Sequence, residues 1–208
     1  MKISTSKSTS PIDFYFDFSS PYGYFAATKI DALAAQYQRE VAWHPVLLGV
    51  VFKSTGAQPL TMVPMKGDYS RRDFVRTARL HDIPFSMPQT FPIASQIPAR
   101  AMLHIRSAHG RHRANAFALA ALHAFFVDGI DISGAPAVAQ IATALGLDAG
   151  TVLDGAQLPE IRDELRRGTE KAIARQVFGS PFFIVDDEPF WGFDRLDQLR
   201  HFLQHGSI

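Results

Sequence analysis

From Ile12 onward, short aromatic runs alternate with long stretches that repeat apolar residues at helical spacing. Residues 12–18, Ile-Asp-Phe-Tyr-Phe-Asp-Phe, are aromatic and β-prone and predict a strand. Residues 21–37 are Ala-rich, with apolar positions recurring every three or four residues. They predict a helix with Pro21 at its first position, where a missing N–H costs nothing. Residues 40–48 predict a second strand, and the simplest joining of this β-α-β opening is a parallel right-handed unit. Residues 49–65 are punctuated by Gly and Pro and predict a loop. Helical periodicity returns over 68–82, 97–109, 112–127, 135–145 and 159–175, with the Pro-rich segment 81–95 reading as irregular. Ser133 and Gly134 precede one of these helices and Gly146 follows it, as cap residues would. A turn at 177–181 leads to a strand at 182–185. A second turn at 186–189 precedes Phe190 and Trp191, and a last helix runs from near Asp194 to about Gln204.

Two halves of one sheet thus flank a helical block. The expected class is α/β: a thioredoxin-like domain over 12–60 and 177–208, with an inserted all-helical domain over 61–176. Residues 1–11 predict a disordered tail. They are polar, carry two Lys and lack the apolar run of a secretory signal. No stretch approaches the roughly 20 apolar residues of a membrane span, so the expectation is a cytoplasmic protein with no membrane partner. The chain has 208 residues, of which 47% are hydrophobic, enough for a full core. A formal net charge of +1 gives no support for nucleic acid as a partner, and the basic run at 106–113 reads as a solvated helix junction.

With no cysteine, the chain has no disulfide, no Cys-ligated metal and no thiol nucleophile of its own, which excludes disulfide oxidoreductase activity. Eight histidines are present, but His104, His109, His112 and His123 have no carboxylate cluster at ligand spacing, and no metal site is expected. His44, beside Trp43, suits the core or a pocket. The informative junction is Ser20-Pro21, where a hydroxyl meets a helix start. Read alone, Ser20 is either an N-cap or a donor to a bound anion. A thioredoxin-type fold keeps its reactive sulfur at this place; here the sulfur would have to come with a ligand.

The segments DFYFDFSSPYGY, LLGVVFKSTGAQP, MVPMKGDY, FGSPFF and WGFDRL, in this order, resemble the family of 2-hydroxychromene-2-carboxylate isomerases and kappa-class glutathione transferases. The resemblance spans nearly all of the chain after residue 11. It implies glutathione as cofactor, a small aromatic carboxylate as substrate and a homodimer. It makes Ser20 the residue whose hydroxyl activates the glutathione thiol, in preference to Ser19, because Ser20 directly precedes Pro21. It implies a cis bond before Pro181, with the Ser180 backbone paired to the cysteinyl part of glutathione. Lys66 would face the glycine carboxylate and Asp194 the γ-glutamyl amino group, with Phe193 contributing its backbone. Asp194 also suits an N-cap of the last helix, and Arg195 a structural ion pair. Tyr22, Tyr69 and Trp191 are candidates for an aromatic substrate pocket, although Trp191 also suits packing. The implied reaction is reversible thiolate addition, ring opening, rotation and elimination. A kappa-like transferase or peroxidase is the alternative. Three positions depart from the family pattern: Ala57 and Ala94 replace common Asn residues, and Phe193 replaces a small or polar one. They imply weaker glutathione binding, a reshaped pocket, or a relative that has lost glutathione.

Overall fold

A computed structural model describes residues 10–208. The expected tail, 1–11, lies outside the described residues except for the exposed Ser10 and Pro11. β1 (Ile12–Phe16) is followed by α1 (Pro21–Ala27), α2 (Ile30–Gln36), β2 (Val41–Pro45) and α3 (Leu48–Thr55). A 3₁₀ turn (Leu60–Met62) leads into α4 (Lys66–Leu80). Then come α5 (Gln96–His109), α6 (Arg111–Phe126), α7 (Ala135–Ala144), α8 (Ala149–Gln157) and α9 (Pro159–Ala174). β3 (Phe182–Val185) and β4 (Glu188–Trp191) close the sheet, before a second 3₁₀ turn (Phe193–Arg195) and α10 (Leu196–His205). The sheet order is β2-β1-β3-β4. β1 and β2 run parallel, as the β-α-β pattern predicts, while β3 is antiparallel to both β1 and β4.

The side chains explain this layout. Phe14 and Phe16 stack in β1, and Trp43 of β2 meets both edge-on. These rings, with Phe183 and Phe190, form the face against which α1 and the helical block pack in one continuous core. On the opposite face Tyr15, Val46, Phe182 and Ile184 pack with Ala172 of α9 and Val177. The β3–β4 turn has positive φ at both Asp186 and Asp187 (50° and 70°), the left-handed conformation that two-residue hairpins use. Arg39 donates to both oxygens of Asp186, each at 2.9 Å, and ties this turn to the loop before β2.

Three expectations need correction, and one helix was not expected at all. The helix expected over 21–37 is two helices, because the Thr28 hydroxyl donates to the Phe25 carbonyl and the Lys29 N–H to Ala26, closing α1 early. The loop expected over 49–65 contains α3, whose first N–H, from Leu48, is satisfied by the distant Asp17 carboxylate. α8 was not anticipated; Asp148 caps it by accepting the Thr151 N–H at 2.7 Å. Asp194 is not the N-cap of the last helix. It lies in the 3₁₀ turn, Arg195 stands at the cap position, and the cap has no side-chain hydrogen bond.

No helix among the described residues is long and apolar enough to cross a membrane.

Candidate active site

β1 ends at Phe16 because Asp17 turns the chain. The Ser19 N–H donates to Asp17 Oδ1 (2.7 Å) and the Ser20 N–H to the Asp17 carbonyl (3.0 Å). Asp17 is buried. Its second oxygen takes the Leu48 N–H at 2.7 Å, and the Ser95 side chain adds a hydrogen bond to the carboxyl. Burial pushes this carboxyl above its ordinary value, against the three donors.

Ser20 follows, 5% exposed. Its Oγ accepts the Gly23 N–H at 3.0 Å, which caps α1, and donates to the Ser180 carbonyl at 3.0 Å. Capping and reaching toward the Ser180-Pro181 segment are therefore one arrangement. The Ser180–Pro181 peptide is cis, as the resemblance implies; the Phe91–Pro92 peptide, not anticipated, is cis as well. Ser180 is held from behind, since its Oγ accepts the Asp17 N–H at 3.1 Å. The Pro181 carbonyl accepts the Gly192 N–H at 3.0 Å. Gly23 is required here: a Cβ on it would stand 2.7 Å from Ser180 Oγ. Ser19 is directed elsewhere, its Oγ accepting the Ile93 N–H at 3.0 Å.

One flank of this centre is a stripe on α4. Lys66, Tyr69, Asp73 and Arg76 fall at helical spacing beside the buried row Gly67, Ser70, Phe74 and Ala78. The Tyr22 hydroxyl, two residues after Ser20, donates to Asp73 Oδ2 and joins this stripe to α1. Burial and the Asp73 carboxylate raise the Tyr22 pKa. Asp73 Oδ1 accepts from Arg76 Nε at 2.7 Å, and Arg76 also donates to the Tyr69 hydroxyl while lying over that ring.

Ser20 meets the Ser180-Pro181 segment, Tyr22 is linked through Asp73 and Arg76 to Tyr69, and Lys66 is exposed at the start of the same stripe. Asp194 projects outward, its side chain 74% exposed and 3.6 Å from Arg195. The Phe193 side chain, by contrast, is core: its ring meets Phe25 and His81 edge-on, leaving only its backbone for a ligand. Trp191 stands apart from the proposed pocket. It is paired with Phe182 on the sheet face away from α1, packs on Phe178 and lies over Gly179. Ala57 and Ala94 are exposed. Among the described residues no three His, Asp or Glu side chains group as a metal site. Sequence reading missed Asp17, Asp73 and Arg76. A charged residue inside an aromatic strand run, and spacings of three and four from Lys66, were the available signals.

The DSBA-like thioredoxin domain model matches residues 11–204. A 2-hydroxychromene-2-carboxylate isomerase of Sphingobium xenophagum is 32% identical over 198 residues, covering 94% of this chain and 98% of that protein. A glutathione S-transferase kappa 2 of Caenorhabditis elegans is 25% identical over 209 residues, covering 92% and 91%. Among solved structures, a 2-hydroxychromene-2-carboxylate isomerase superposes with a TM-score of 0.84 at 27% identity, covering 93% of this chain and 94% of the other.

Proposed function

The chain belongs to the DSBA-like thioredoxin domain family, as an isomerase of the branch shared by 2-hydroxychromene-2-carboxylate isomerases and kappa-class glutathione transferases, and from that premise we propose that it isomerises a small aromatic carboxylate of the 2-hydroxychromene-2-carboxylate type with glutathione as cofactor. The observation that carries this reading is the buried Ser20 hydroxyl, held 3.0 Å from the carbonyl before cis-Pro181.

The residues present fit the cofactor. Gly23 leaves room where a Cβ would crowd Ser20 and Ser180. An exposed ammonium, Lys66, suits a carboxylate, and an exposed carboxylate, Asp194, suits an amino group. Glutathione, when bound, supplies a thiolate able to add reversibly to a conjugated carbon. Ser20 has one hydroxyl proton, which the Ser180 carbonyl now accepts. Rotation about the Cβ–Oγ bond would free that proton for the sulfur of a bound thiol, while the Gly23 N–H keeps its bond to the oxygen. The Ser180 carbonyl would then accept a ligand N–H, in the manner of an added strand. A hydrogen bond to a charged group is worth about 1.5–3 kcal/mol. At about 1.4 kcal/mol per pKa unit, Ser20 lowers the bound thiol by about one to two. α1 has seven residues, so the hydroxyl rather than a long helix dipole supplies the main effect.

The test is Ser20→Ala in an isomerisation assay. A fall in kcat of about 10- to 100-fold is expected; unchanged turnover with glutathione bound removes Ser20 from the role. The kappa-type relative keeps a transferase in view. Net consumption of glutathione would favour transfer, and a constant pool favours isomerisation. The same reading takes the protein as a cytoplasmic homodimer, with the exposed Leu60, Met62 and Met65 as surface for a second copy to cover. Light scattering that gives a monomer mass at working concentration would sink the dimer.

A further inference from the structure

We propose that Arg76 and Tyr69 form the subsite for the substrate's own carboxylate and so set the preference for an anionic aromatic substrate. This rests on the isomerase reading above. If Lys66 and Asp194 serve the two ends of glutathione, the substrate anion needs a separate cation beside the same centre. Arg76 is on the Lys66 stripe of α4, and it is the cation on that stripe joined to Tyr22 through Asp73. Its side chain is 57% exposed, so a solute can reach it.

The guanidinium is also oriented. Nε is fixed by Asp73 at 2.7 Å, and one terminal nitrogen donates to the Tyr69 hydroxyl. Asp73 holds Nε and, at 2.5 Å, Nη2, the nitrogen that also reaches Tyr69, so of the five N–H groups the two on Nη1 remain to meet a ligand carboxylate. Tyr69 lies under the guanidinium, 4.8 Å from ring centroid to Cζ, and is itself exposed. It offers an aromatic face next to the charge, the pairing that an aromatic acid presents in return. Because Asp73 already neutralises Arg76, the subsite acts through orientation and directed hydrogen bonds more than through net charge.

The experiment compares an ortho-hydroxylated trans-benzylidenepyruvate with its neutral amide, using wild type, Arg76→Gln and Arg76→Lys. In Arg76→Gln the preference for acid over amide, read as a ratio of kcat/KM, falls at least about tenfold, the worth of one charged hydrogen bond. The loss falls mainly in KM for the acid, and the KM for glutathione does not move with it. Arg76→Lys, which keeps the charge without the fork, lies between. An Arg76→Gln enzyme with the wild-type preference overturns the subsite. The reading beneath it fails separately. Calorimetric titration of the acid into wild type and Arg76→Gln measures the subsite without turnover. Arg76-dependent affinity in a protein that does not isomerise supports the subsite and sinks the isomerase reading.

Discussion

Asp17 is the residue on which the site's geometry depends. One buried carboxyl receives the N–H of Ser19, the N–H of Leu48 and the Ser95 hydroxyl, and its own N–H holds Ser180. An amide has a single acceptor oxygen. In Asp17→Asn one of the two N–H groups therefore faces an NH₂ donor, at a cost of about 1–3 kcal/mol. Urea denaturation checks this, and an unchanged midpoint would contradict it. The pH dependence has opposite signs at two carboxyls. Asp17 has its folded pKa raised, chiefly by burial. Its contribution to stability is therefore complete below the unfolded carboxylate value and is lost as pH rises through the folded one. At Asp13 burial works upward, but hydrogen bonds from His44 and Arg175 bring the carboxyl below its ordinary value. Its contribution is present above the usual range and is lost as pH falls through the lowered value. The stability difference between wild type and Asp13→Asn should accordingly shrink as pH drops below about 4. A difference that stays constant from neutral pH to that point and below it would contradict the assignment.

At the scale of elements, close approach decides more than propensity. Gly23→Ala adds helix propensity worth about 1 kcal/mol, yet its Cβ stands 2.7 Å from Ser180 Oγ and 3.0 Å from Ser20 Cβ. The expected outcome is a small change in Tm with at least about a tenfold loss of activity, since α1 and the cis-Pro181 segment are forced apart. Full activity in Gly23→Ala would mean that this contact does not position Ser20. α8 shows the same effect in packing: a Cβ on Gly155 would lie 2.3 Å from the His104 ring of α5. That closeness also explains why the element was hard to read. Gly155 looks like a breaker in one dimension and is what lets α8 pack in three. α3 was hidden for a related reason, because the group that satisfies Leu48 is 31 residues away. The strands and most of the helices were legible because their aromatic runs and apolar repeats are local signals. The break at Thr28 was not, since it depends on a hydroxyl turning back to Phe25.

Across the whole molecule the sheet and the helical block share one apolar core, from Phe14 and Phe183 to Leu122 and Val152. The division at 61–176 read from the chain is one of connectivity, and α9 crosses it to cover the sheet's other face. A shared core predicts a single cooperative unfolding transition, with near- and far-ultraviolet dichroism coinciding; two separated transitions would show independently folding parts. The candidate site was half legible. Ser20, Ser180 and Pro181 were marked by motif, and the structure brings them into contact. Trp191 carried an equally clear motif, but β-pairing turns it to the far face. Asp73 and Arg76 carried none, because their meaning comes from Tyr22 across a helix interface. The claim on which the account depends is that this assembly stabilises a bound thiolate through Ser20. The direct measurement is the thiol pKa of protein-bound glutathione, followed by thiolate absorbance in wild type and Ser20→Ala. The expected value in wild type is clearly below the ordinary thiol pKa of about 8.5, rising by about one to two in Ser20→Ala while glutathione stays bound. An unshifted thiol in wild type, or the same lowered value in both proteins, would contradict it.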